Sequence, residues 1–359
     1  MRPKNTLQQT VSPALTLLLV GVCLVHISGC YPQAEFEKMV ELEHPMEAGS
    51  TLAVSTASGS IDVAGEQTER CHAIATIRAR AATEEEAEEL AEQVEIRIEP
   101  SPGKLQIKAD RPRWLKNKSI SISYEITVPH ETHVECSSAS GSLDLADLTG
   151  NVNADAASGS VEAERITGSV RLHTASGSVR GEEIRGGDAH LDSASGSVRL
   201  LQASEMGRCE LHAASGTVAA EQVDADSVSL HTASGGVRLN DAHAPSVNLR
   251  TSSGSIRTQG LDASRLQAES TSGSISVAFA PSAPGEITAD VEASSGNVTL
   301  ALPPDFAGRI DLSASSGSVR TDLPISVTGK IDRKHVSGTV GQGTGSVYVR
   351  TSSGSVRVK

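Results

Sequence analysis

From Cys136 to the C-terminus, apolar residues recur in fixed registers around a repeated Ser-Gly corner. Two positions after the glycine stand Leu143, Val161, Val179, Val198, Val218, Val237, Ile256, Ile275, Val298, Val319, Val340 and Val356. Five before it stand Leu172, Leu191, Leu211, Leu230, Leu249, Val291, Leu312 and Val349; seven before it, Val152, Val170, Val228, Val247, Ile310 and Val347. A spacing of two between paired apolar positions is the period of a strand with one buried face. Each repeat therefore predicts one strand before the corner and one after it. A third inward group (Leu148, Ile166, Ile184, Val223, Leu261, Phe306) lies near a second corner, often a glycine as in Thr149-Gly150, Thr167-Gly168 and Thr328-Gly329.

Successive corner glycines, from Gly141 through Gly338 to Gly354, are 16 to 23 residues apart. Near-constant recurrence of identical positions is what stacked turns demand, and hairpins in an antiparallel sandwich do not. The predicted fold is all-β, a parallel β-solenoid of about 11 turns, each adding about 4.8 Å. Glycine permits the bend, and the flanking serines are expected to satisfy backbone groups there.

Upstream of Cys136 the pattern is less regular. One isolated copy of the phrase, Ser58-Gly59-Ser60, is flanked by alternating Leu52, Val54, Ile61 and Val63. Thr83 followed by Glu84, Glu85 and Glu86 predicts a capped helix to about Glu92. Strands are expected over Ala73–Ile77, Val94–Ile98, Leu105–Ala109 and Ser119–Val128. The organisation predicted is a signal peptide over 1–29, a tether over 30–49, a β-rich capping module with one helix over 50–134, and solenoid repeats over 135–359.

The N-terminus has the marks of export. Arg2 and Lys4 precede an apolar run from Ala14 to Val25, too short to span a bilayer, and Ile27-Ser28-Gly29-Cys30 follows. That tetrapeptide resembles the lipobox of bacterial lipoproteins. The resemblance implies acylation of Cys30, with palmitate among its chains, and more than one chain is what stable anchoring requires. Tyr31 stands where an aspartate would direct inner-membrane retention, so the expected location is the cell envelope, lipid-anchored at the outer membrane on its periplasmic or surface side. Cys71, Cys136 and Cys209 remain; a Cys71–Cys136 disulfide is open, and Cys209 replaces a valine of the repeat as a small buried hydrophobe.

A formal net charge of −13 with one Trp, three Tyr and three Phe removes the usual means of binding nucleic acid. Against that acidity one basic pattern stands out. Three residues after the corner glycine come Arg180, Arg199, Arg238, Arg257, Arg320 and Arg357, a candidate binding stripe for acidic glycan, lipopolysaccharide phosphate or a protein partner. The plainer alternative pairs these arginines with Asp192, Glu269 and Glu292. One position past the inward leucine lie His173, Asp192, His212, His231, Arg250, Glu269 and Glu292, in which His212 and His231 on adjacent turns are candidates for a metal. The same column reads equally as a solvated ladder, and neither metal nor cofactor is expected.

Catalysis is not expected. A dozen equivalent serines cannot each have a base and an oxyanion hole, and the carboxylate clusters and aromatic walls of polysaccharide-degrading β-helix enzymes are missing from the repeats. The terminal Ser353-Gly354-Ser355-Val356-Arg357-Val358-Lys359 ends in strand pattern, so an open edge is expected there, either guarded by Arg357 and Lys359 or used for end-to-end self-association.

The phrase Ala-Ser-Gly-Ser-Val with Thr-Gly half-repeats, preceded by Ile126-Thr127-Val128-Pro129, resembles the bacterial "putative adhesin" family of β-strand repeat proteins over about residues 50–359. The resemblance implies an envelope role and supplies no catalytic residues. The functional expectation is a non-catalytic cell-envelope lipoprotein with an adhesive or structural role. The alternative is an envelope regulatory or scaffold protein that binds a protein partner.

Overall fold

The computed structural model describes residues 34–112, 114–115, 118–327 and 332–359. Cys30, the signal segment and the Thr328-Gly329 corner lie outside the described residues. The chain forms a parallel β-solenoid, as the periodicity predicts. Each coil has one strand before its corner glycine and one after it, and like strands stack in register into two long faces.

Nine turns follow one another in chain order, from His133–Ser140 with Leu143–Thr149 to Thr288–Ser295 with Val298–Ala301. Within them Val152 pairs Val170, Val170 pairs Ala189, and Ala189 pairs Cys209. The three apolar registers are buried throughout, the third group included.

The corner explains the glycine. At Gly235 φ is +150°, and a Cβ would stand 1.9 Å from the carbonyl oxygen of Gly216 in the coil before. The same clash recurs from corner to corner, so the glycines form a column against which no side chain fits. The hydroxyl that serves this column is not that of the corner serines. Thr174, Ser193, Thr232, Thr251, Ser270 and Thr351, buried three residues before their glycines, donate to the corner carbonyl of the neighbouring coil at 2.8–3.1 Å. At Ala156, Ala213 and Ala293 the column lacks that hydroxyl.

The second corner falls at Gly150 and Gly168 as expected, and a Cβ there would stand 2.4 and 2.5 Å from a carbonyl oxygen of the coil before. A further bend lies just ahead of it, inside the strand. It is made by non-glycine residues in the left-handed region: Asp147, Arg165, Glu183, Gln202, Gln222 and Asp241, with φ of 49° to 60°. Glycine takes over at Gly260, φ +64°. Aspartate is among the non-glycine residues that tolerate this conformation best, which suits Asp147 and Asp241, and each of the six stands just before a buried apolar residue such as Leu148 or Ile166.

Both ends are threaded out of sequence. The Gly59 coil (Thr51–Thr56, Ile61–Glu66) lies between the Gly141 coil and a coil made later in the chain by Lys104–Asp110 and Ser119–Pro129. Arg70–Ala81 then adds antiparallel to Ser119–Pro129, and Ala34–Pro45 adds outside it. Residues 34–45 are thus the edge strand of a sheet rather than tether, with Glu35–Arg80 and Glu37–Arg78 ion pairs at 2.8 Å. The helix Glu84–Glu92 is capped by Thr83, whose hydroxyl accepts from the Glu86 amide at 3.2 Å.

At the other end the final strands, Gly345–Ser353 and Val356–Val358, insert between the Gly296 coil and the Gly317 coil. The C-terminal strand is therefore not an open edge, which removes the ground for end-to-end docking there. His335–Val340, expected as a further turn around Gly338, runs antiparallel against Gly308–Ser316 and covers the last coil. This rearrangement accounts for nine sequential turns where 11 were expected. Cys71, Cys136 and Cys209 are buried free thiols, so the Cys71–Cys136 bridge is absent; burial pushes each up to about 12.

Candidate functional site

Strands after the corner present their third post-glycine residue outward on every coil, and register aligns these residues into one column. Along the axis it reads Glu125, Asp62, Asp144, Glu162, Arg180, Arg199, Ala219, Arg238, Arg257. It continues through Ser276, Thr299 and Arg357 to Arg320. The predicted arginine stripe is therefore continuous across neighbouring coils except for Ala219 and the Ser276–Thr299 interval.

Its members are not equivalent. Arg180 is bound at the boundary: Nε lies 3.1 Å from Glu162 and the guanidinium also holds Glu182. Arg357 pairs with Asp322 at 3.0 Å. Arg199, Arg238, Arg257 and Arg320 are exposed and have no side-chain partner among the described residues. The expected pairing with Asp192, Glu269 and Glu292 does not occur. Those acids belong to the strands before the corner and are engaged there: Asp192 by His173 and His212, Glu269 by Arg250 at 3.7 Å, Glu292 by Arg350 at 3.8 Å.

That second ladder pairs most of its charged members among themselves. Asp192 takes His173 Nδ1 at 3.1 Å on one side and His212 Nδ1 at 2.8 Å on the other. His231 stacks on His212 with ring centroids 5.1 Å apart. Partial burial, with the neighbouring His212 and Arg250 charges, lowers the His231 pKa from its ordinary value. His212 and His231 are thus adjacent as expected, but no group of three or more His, Cys, Asp or Glu converges for a metal among the described residues.

The acidic block at the head of the first column is the feature sequence reading missed. Asp62, Asp144 and Glu162 stand three residues after Gly59, Gly141 and Gly159, the same offset as the arginines, so the signal was present. Glu125 joins them only through pairing with the Gly59 coil. They line a shallow groove of about 490 Å³ with His72 and Glu164. Burial, a hydrogen bond to Asp144 and the Asp144 charge raise the Asp62 carboxyl above its ordinary range, partly offset by Ser60.

The Toastrack DUF4097 family model matches residues 52–205 and again 201–359. The chain belongs to the Toastrack DUF4097 family. No protein of the curated set matches it in sequence. Among solved structures, similarity extends to a "putative cell adhesion protein" from Clostridium sporogenes, 11% identical over 90% of this chain and 99% of that one, TM-score 0.20. A "putative adhesin" from Bacteroides fragilis is 13% identical over 90% and 97%, TM-score 0.31. A "putative lipid binding protein" from Parabacteroides distasonis is 12% identical over 89% and 97%, TM-score 0.35. The two Toastrack matches meet in the middle of the rod, between the Gly196 and Gly216 corners.

Proposed function

We propose that this Toastrack protein is a non-catalytic envelope lipoprotein, anchored through Cys30, whose adhesive or structural work is done by the arginine column. The observation that carries the reading is the contrast between two outward ladders on one rod. The ladder before the corner pairs most of its charged members among themselves; the column after it leaves Arg199, Arg238, Arg257 and Arg320 exposed and unpaired among the described residues. Guanidinium groups at coil spacing, about 4.8 Å apart on adjacent turns, suit anionic groups on an extended partner, because each offers a planar fork of donors. The sheet surface is shallow, which favours a broad contact over a reacting small molecule, and the corner serines are repeated structural elements rather than a nucleophile with a base.

Binding of the full chain to lipopolysaccharide and to an acidic polysaccharide tests this. Replacing Arg199, Arg238, Arg257 and Arg320 with Gln is expected to weaken retention tenfold or more, about 1.4 kcal/mol. Unchanged retention overturns the reading. Mass spectrometry of the membrane-extracted protein tests the anchor: an acylated N-terminal peptide beginning at Cys30, abolished in Cys30→Ser, is the expected result.

A further inference from the structure

The arginine column has a complement on the same molecule. Successive coils carry Glu125, Asp62, Asp144 and Glu162, then Arg180, Arg199, Ala219, Arg238 and Arg257, all in one register. Glu125, Asp62 and Asp144 have no ion pair with a cation among the described residues, just as Arg199, Arg238 and Arg257 have none with an acid. Arg180 marks the boundary, its guanidinium held by Glu162 and Glu182.

We infer that the partner of the arginine column is the acidic block of a second copy of this chain, docked face to face and antiparallel. The inference rests on the reading of that column as the contact surface and names what it contacts. A two-fold axis lying between the faces across Arg180 reverses the column. Glu162 then faces Arg199, Asp62 faces Arg238 and Glu125 faces Arg257, each pairing occurring twice, as a self-complementary interface requires. Both blocks have the one-coil period, so every pair comes into register together.

The carboxylates supply a second argument. Asp62 and Asp144 are register partners on adjacent coils, with like charges side by side. Like charges held this close disfavour ionisation of both unless a cation is supplied. No ion pair within the rod supplies one among the described residues; in a reversed copy Arg238 faces Asp62, while Asp144 faces the uncharged Ala219. At each end an antiparallel strand lies outside the outermost coil.

Charge reversal provides the test, read by sedimentation velocity of the full chain in non-ionic detergent. The parent is expected to form a dimer at about 0.01 M salt and to dissociate as salt shortens the screening length toward about 3 Å near 1 M. R199E/R238E/R257E and E125K/D62K/D144K are each expected to remain monomeric alone. Mixed one to one, they place a column acidic but for Arg180 against one basic but for Glu162 and are expected to recover the dimer. That recovery requires both variants to be folded, so it separates lost docking from lost structure. A monomeric parent at low salt, or reversal variants that dimerise as the parent does, overturns the inference, as does a mixture that stays monomeric while each variant melts like the parent. A monomeric parent that still binds lipopolysaccharide through its arginines would sink self-docking alone. If R199E/R238E/R257E keeps both dimerisation and lipopolysaccharide binding, the arginine surface itself is wrong.

Discussion

At the residue scale, the corner phrase combines a backbone requirement with a buried hydrogen bond. Glycine is required twice over, by φ near +150° and by the carbonyl oxygen of the adjacent corner. Gly235→Val should therefore cost well above the about 1 kcal/mol of backbone preference alone. Its counterpart is a gain. Ala213 is buried three residues before Gly216, where Thr232 and Ser193 in neighbouring coils donate to a corner carbonyl. Ala213→Ser is expected to stabilise by about 0.5–1.5 kcal/mol, and thermal melting of the two variants should move in opposite directions. The glycines and the inward valines were legible from spacing alone. The hydroxyl bond was not, because sequence shows a Ser or Thr three before the glycine without showing that it faces another coil's carbonyl.

Asp62 allows a pH prediction at the same scale. Its folded-state pKa is raised, so the folded protein binds its proton more readily than the unfolded chain. Stability contributed by Asp62 therefore falls as pH rises through the interval from its ordinary carboxylate value of 3.8 to its raised folded value. Asp62→Asn removes that penalty. Chemical denaturation should find it more stable than the parent at neutral pH, with the gap closing below the carboxylate range. A gap that widens in acid would contradict the assignment.

At the scale of elements, periodicity predicts strands and their faces but not the order in which coils stack. A solenoid coil contacts only its neighbours, and any coil with Val or Leu at the three inward positions can sit beside any other. The chain uses this freedom at both ends, where a coil made early or late in sequence is enclosed by its neighbours and an antiparallel segment covers the outermost edge. Such cover is the usual protection against edge-to-edge aggregation. The Gly338 turn was misread for the same reason: its Gly-x-Val spacing matches the repeat, but its strand runs the other way. Because Val347, Val349, Val356 and Val358 are buried between two coils, deleting residues 345–359 should lower the melting temperature sharply rather than trim an end. Each buried valine contributes about 1.5–3 kcal/mol, so several kcal/mol are at stake. A deletion that melts like the parent would mean that the Gly317 coil restacks on the Gly296 coil.

At the scale of the molecule, charge is arranged where fold is repetitive. Every coil repeats the same inward residues, so differences between coils are confined to outward columns, and one of these separates into acidic and basic halves. The basic half was legible because arginine stands out in an acidic chain. The acidic half was hidden by the overall negative charge, and its fourth member, Glu125, comes from a strand with no corner glycine. The paired ladder before the corner provides the control that the unpaired column needs. Arg250 and Arg350 are exposed like the column arginines but already face Glu269 and Glu292. The most direct measurement is therefore ligand retention by R199Q/R238Q compared with R250Q/R350Q, which remove the same charge from different faces. A large loss in the first and near-parent binding in the second is the predicted result; equal losses would show that net charge, and not the unpaired column, attracts the partner.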